Sequence, residues 1–160
     1  MTSITNMPPR SKVWVYQSNR PFTASEAERI ISSGNHFIAE WAAHGASLKA
    51  SFDIIYNQFI VIAVDEQQAQ ASGCSIDKSV KFIKEIEQQF QLHLFDRLQV
   101  AYRTESEIAV CSLTEFEKLA EQGLVNETTV VFNNMITTKS AFDTEWEVPL
   151  KESWQYKVLV

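Results

Sequence analysis

Cysteine, glycine and proline are scarce in this chain: two, four and four residues among 160. Cys74 and Cys111 stand far apart and in no paired motif, which excludes a disulfide-stapled scaffold and suits a reducing, cytoplasmic compartment. The four glycines are Gly34, Gly45, Gly73 and Gly123. None stands in a Gly-x-x-x-x-Gly-Lys phosphate loop or in a Gly-x-Gly-x-x-Gly fingerprint, so P-loop nucleotide hydrolysis and Rossmann-type dinucleotide binding are excluded. Positive charge is also short, with 14 Lys and Arg against 20 Asp and Glu, a formal net charge of -6. The densest basic stretch, Lys78 to Lys84, is flanked by Asp77 and Glu85. A nucleic-acid partner needs clustered cations to neutralise phosphates, and none is expected here. The longest apolar run, Phe59 to Val64, is six residues, against about 20 for a membrane helix. No membrane association is expected. His36, His44 and His93 lack the i+3 or i+4 partners of a zinc site, so no metal and no cofactor is expected either.

What remains is an ordinary globular composition, 45% hydrophobic and 21% charged, in a length that suits one folding unit. The first stretch, MTSITNMPPRSK, has no apolar signal core, and residues 1–11 read as a flexible tail. Lys12–Gln17 alternates with β-rich residues and predicts a strand. Its Val13 and Val15 face one way and Trp14 and Tyr16 the other, so both faces carry bulk.

Thr23-Ala-Ser-Glu26 is a capping box. The helix it opens places Ile30, Gly34, Phe37, Ile38 and Trp41 on one face, with Gly45 as its stop. Gly34 on the inner face predicts a close approach to a sheet. Leu48–Tyr56 and Phe59–Val64 read as a hairpin joined through Asn57-Gln58. The second strand is apolar throughout, hence central and covered on both sides. A helix from about Ser75 to Gln91 carries Ile76, Val80, Ile83 and Phe90 inward, and Leu98–Arg103 returns as a strand.

That β-α-β-β-α-β order predicts an α+β fold with a ferredoxin-like core over residues 12–103; the alternative is an unrelated α+β sandwich. Residues 104–160 read as a C-terminal α/β extension packed on the core. It holds a strand at Glu107–Cys111, a short helix capped by Ser112 and stopped by Gly123, and a strand at Thr128–Phe132. An irregular tail with Trp146, Pro149 and Trp154 follows. A layer with helices on one side leaves its other face for the extension or for a second copy, and a homodimer is expected.

One stretch concentrates chemistry: ASGCSID, residues 71–77. A thiol at a helix N-terminus favours its thiolate, and Cys74 with His44 as base and Asp77 as orienting carboxylate would make a thiol-dependent enzyme. The amides of Ser72, Gly73 and Ser75, with Lys78, are alternatively a small-anion site. The plainer reading is a glycine turn and a helix capped by Ser75 or Asp77, with His44 in the last turn of the preceding helix. On that reading the chain is a small binding or accessory protein and not an enzyme.

The motifs VWVYQSNR (13–20), WAAHGASL (41–48), FIVIAVDE (59–66), ASGCSID (71–77), LFDRLQVAYR (94–103), VFNN (131–134) and EVPLKESW (147–154) resemble a family of short uncharacterised bacterial proteins. Members often carry the label ABC transporter ATPase; the phosphate loop that activity requires is absent here. The resemblance implies no catalytic residues. Residues 112–133, SLTEFEKLAEQGLVNETTVVFN, are similar in local geometry to the helix-turn-strand of small GYF-like interaction domains, without their aromatic signature.

Overall fold

The computed structural model describes residues 3–43, 45–67 and 69–159, without the side chains of residues 158 and 159. It is a mixed α+β structure with antiparallel sheets. Strand β1 (Lys12–Gln17) leads into helix α1 (Ala24–Glu40), then a two-residue hairpin, β2 (Ala42–Ala43) and β3 (Ala46–Ser47). The long hairpin β4 (Lys49–Ile55) and β5 (Phe59–Asp65) follows, then α2 (Gly73–Phe90). The second half runs β6 (Gln99–Arg103), β7 (Ile108–Ser112), α3 (Leu113–Glu121), β8 (Val130–Phe132), α4 (Lys139–Glu145), β9 (Glu147–Pro149) and α5 (Trp154–Leu159).

Two sheets carry the fold. The first has the order β1-β5-β4 and the second β7-β6-β8-β9. The strand expected to complete the first sheet, Gln99–Arg103, instead pairs with Ile108–Ser112 and, at Tyr102, with Val131. Sequence order alone does not say which edge a returning strand takes; here the short β6–β7 hairpin gives it a local partner.

Side-chain alternation then stacks four layers. Trp14, Tyr16, Phe52, Ile60, Ile62 and Val64 face α1 and α2 and pack with Ile30, Ile83 and Phe90. Val13, Phe59, Val61 and Ala63, one residue out of phase, face the second sheet at Ala101 and Phe132. The far side of that sheet, Val100 and Val131, is covered by Phe116 of α3 and Leu150. Strand β5 lies at the centre, and all seven of its residues are buried. The face of the first sheet left free by its helices is therefore closed by the chain itself.

Residues 3–11, read from the sequence as a flexible tail, are packed down. Ile4 and Met7 are buried in the layer between the sheets, and the Ile4 amide donates to Asp53 Oδ2 at 2.9 Å. Two apolar residues isolated among polar ones leave no periodic signal. The C-terminal tail, read as irregular, holds α4, β9 and α5. Elements of seven, three and six residues are too short to show a period.

Local chemistry explains the ends. The capping box of α1 is present, with Thr23 Oγ1 accepting from the Glu26 amide and Glu26 Oε1 from the Thr23 amide. Arg20 grips the same carboxylate with two nitrogens at 2.8 Å and also donates to Phe90 O at the end of α2. The Arg20 guanidinium and the Thr23 amide hold Glu26 down to about 2. Helix α1 ends at Glu40 rather than at Gly45, which turns the following hairpin at φ +80. The long hairpin turns on Tyr56 and Asn57, both left-handed, one residue earlier than Asn57-Gln58. Gln58 is instead buried and donates through Nε2 to Ser18 O at 2.7 Å.

Candidate functional site

The helix mouth at residues 72–78 resolves into a cap. Ser72, not Ser75 or Asp77, is the N-cap. Its hydroxyl accepts from the Ser75 amide at 3.1 Å, and Ser75 Oγ accepts from the Ser72 amide at 2.7 Å. Ser75 is buried, and its carbonyl accepts from Trp41 Nε1 at 2.9 Å, which ties the end of α1 to the start of α2. The capping box thus consumes the two serines named for an anion. Gly73 has open space around it, and Cys74, Asp77 and Lys78 are exposed. Helix α1 ends at Glu40, with Trp41 as its C-cap, and His44 lies outside the described residues. Lys78 borders an open groove of ≈ 680 Å³ between α1 and α2, lined by both polar and aromatic side chains, among them His36, Glu40, Phe37 and Phe82.

Cys111, in β7, is half-buried, and burial with the nearby Glu115 carboxylate pushes its thiol up to about 11. It is predominantly the unreactive thiol at neutral pH. Among the described residues no group of three His, Cys, Asp or Glu side chains is placed to hold a metal ion, and no helix is long and apolar enough to cross a membrane.

The larger concavity lies elsewhere. A cleft of ≈ 910 Å³ runs along the outer edge of β1. One wall is Ile76 and Val80 of α2; the others come from the 94–99 loop, the 134–138 segment, and Trp154 and Gln155 of α5. Leu98 and Met135 stand at the rim with 67% and 68% of their surface exposed. Two large apolar side chains so exposed, at opposing loops over an apolar cleft, are the kind of surface that marks a binding site.

The edge itself can be read strand-residue by strand-residue. Backbone groups of successive residues point to opposite sides, so Val13, Val15 and Gln17 point away from β5. At one end the edge is taken: the Val13 amide donates to Thr137 O at 3.0 Å, and the Lys139 amide to Ser11 O at 2.9 Å. At the other end the Asn19 amide donates to His93 O at 3.1 Å. Between them, the amides of Val15 and Gln17 find no hydrogen-bond partner among the described residues. The chain brackets this stretch and leaves its middle open.

The floor is polar and fixed. Trp146 Nε1 donates to Asn134 Oδ1 at 2.9 Å, Asn134 Nδ2 to Gln17 Oε1 at 2.8 Å, and Gln17 Nε2 to Gln99 O at 3.3 Å. This relay joins β1 to the second sheet beneath the opening. Gln155 differs: it is buried, it lines the cleft, and its Oε1 accepts no hydrogen bond among the described residues.

None of these cleft residues stands in a motif of known catalytic or ligand-binding chemistry. Their only sequence signal is a pair of large apolar residues, Leu98 and Met135, in segments between elements. No family model, no curated protein and no solved structure matches the chain. What the fold and site define is a four-layer α+β protein with a bracketed cleft at the edge of its first sheet.

Proposed function

We propose that the protein is a small binding or accessory protein, not an enzyme, and that the β1 cleft is its ligand site. The observation that carries this reading is the open stretch at Val15 and Gln17, facing an apolar cleft of ≈ 910 Å³. Cavities of this size and lining are where small ligands and short peptide segments bind. The finer topological reading accords with it. In a ferredoxin-like layer a fourth strand would pair beside β1, and the order β1-β5-β4 with two helices on one face leaves that place vacant.

An apolar dye, 1-anilinonaphthalene-8-sulfonate, tests the site. One molecule binds, with energy transfer from Trp14 and Trp154. Val80→Glu and Leu98→Glu each weaken it by about tenfold or more, because an ionised carboxylate among apolar walls is costly. Both positions keep solvent contact, so the fold tolerates them. Dye binding indifferent to both substitutions removes the cleft as the site.

The homodimer keeps a narrower route. The face expected to pair is covered by the second sheet, leaving the edge of β1. Light scattering over a concentration series decides it, and a monomer throughout withdraws the dimer.

A further inference from the structure

The cleft offers a particular pattern of hydrogen-bonding groups, and that pattern suits a particular occupant. Resting on the proposed binding role, we infer that the cleft takes a short extended peptide. It adds to the free edge of β1 at Val15 and Gln17, presents apolar side chains at alternate positions, and carries an acidic side chain at the end nearest Arg97.

Three observations converge. First, the open edge presents strand-spaced backbone groups. The chain's own segment has begun an antiparallel pairing there, through Lys12 and Thr138, and stops after Thr137. A segment entering the cleft continues a ladder already started, which is how edge strands accept peptides. From Val13 to Asn19 the edge spans roughly 20 Å at about 3.3 Å per residue, and its unpaired middle fits a segment of about four residues.

Second, the walls suit alternation. Successive side chains of a strand point to opposite faces. One set meets Ile76, Val80 and Leu94; the other meets Ile136 and Met135. The Gln155 carboxamide has an enclosed oxygen without a donor. Its terminal torsion is soft, and a half-turn exchanges oxygen and nitrogen. Turned toward the cleft that the residue lines, the carboxamide offers a donor and an acceptor that a peptide group complements and an apolar molecule does not.

Third, the rim carries two cations, Lys12 and Arg97, against one carboxylate, Asp96, in a chain that is acidic as a whole. Lys12 is paired with Glu66 at 3.1 Å, and Asp96 caps its own loop through the Leu98 amide. Arg97 is exposed and has no ion pair among the described residues. A protein of net charge -6 repels acidic peptides in general, so a free arginine beside the opening selects for a carboxylate there.

The test uses acetylated, amidated pentapeptides of the form apolar-Thr-apolar-Thr-Glu. The apolar positions run over Val, Ile, Leu and Phe, and a matched series ends in Lys. Members of the Glu series bind, and the Val15 and Gln17 amide protons slow by about tenfold or more in hydrogen exchange. N-methylation of the central peptide amide costs about tenfold, since a backbone hydrogen bond is lost. Arg97→Glu reverses the preference toward the Lys series. Gln155→Leu weakens binding by about tenfold; if that variant does not fold, the N-methyl and Arg97 arms decide alone.

Absence of binding and protection in both series overturns the peptide while leaving the cleft intact if the dye still binds there. Loss of the dye as well removes both readings. Indifference to N-methylation also overturns it, as does protection of Val15 and Gln17 by dimerisation without peptide.

Discussion

Gly34→Ala is expected to lower the thermal midpoint, although alanine is the better helix former. A Cβ at this position would lie 2.2 Å from two ring atoms of Phe52. That ring is 3% exposed and sits edge-on to Phe82 at 5.9 Å, so it has nowhere to move. Overpacking a closed core costs about 1–3 kcal/mol and sometimes more, against roughly 1 kcal/mol gained from propensity. With a clash this deep the net loss is about 2 kcal/mol, or roughly 4–8 °C in a domain of this size. Gly73→Ala is the control. It lies in the first turn of α2, where an added Cβ meets nothing within 4 Å among the described residues, and its φ is not left-handed. The same substitution there is neutral or stabilising by up to about 1 kcal/mol. Thermal scans of both variants check the pair. A Gly34→Ala protein as stable as the parent would show that α1 does not rest on β4 as closely as described.

Trp146→Ala is expected to be the most damaging single truncation of the layer between the sheets. Its indole is 3% exposed, stacks on Phe142 at 4.6 Å and meets Phe59 and Phe132 edge-on at 4.9 Å each. Removal costs about 3–5 kcal/mol, a fall of roughly 6–20 °C. Trp146→Phe separates packing from hydrogen bonding. It keeps most of the ring contact but deprives Asn134 Oδ1 of its donor, and so loosens the relay to Gln17. Its cost is about 1–3 kcal/mol. Denaturant melts should therefore rank parent, Phe, Ala. If Phe equals Ala, the hydrogen-bond relay rather than aromatic packing holds the two sheets together.

Both residues stood out before the structure, for different reasons. Gly34 was marked by its place on the apolar face of α1, and its approach to the sheet follows directly. Trp146 was marked only as an aromatic in an unreadable tail; which layer it fills could not be inferred. The same division runs through the rest. Period-two alternation in Val13–Tyr16 and the unbroken run Phe59–Val64 placed one covered strand and two used faces. The capping hydroxyls of Thr23 and Ser112 placed the starts of α1 and α3, each accepting from the third amide; the reciprocal carboxylate bond is present at α1 alone of the two. The sequence of residues 71–77 places a turn and a cap there but misplaces the capping residue, which is Ser72 and not Ser75 or Asp77.

The cleft belongs to the other class. Leu98, Met135, Gln155 and Val80 come from four separate segments, and nothing near any of them in the chain announces the others. What the residues by themselves determined was local: which stretches alternate, where helices begin, which glycine lies against a sheet, and which chemistries lack their motifs. These follow from short-range sterics, capping and burial, which act over a few residues. Only the tertiary structure decided that Gln99–Arg103 leaves β1 for a second sheet, because strand pairing is a choice among distant partners that local pattern does not rank. That choice covers the face expected to meet a second copy, and it is what leaves the middle of β1 open.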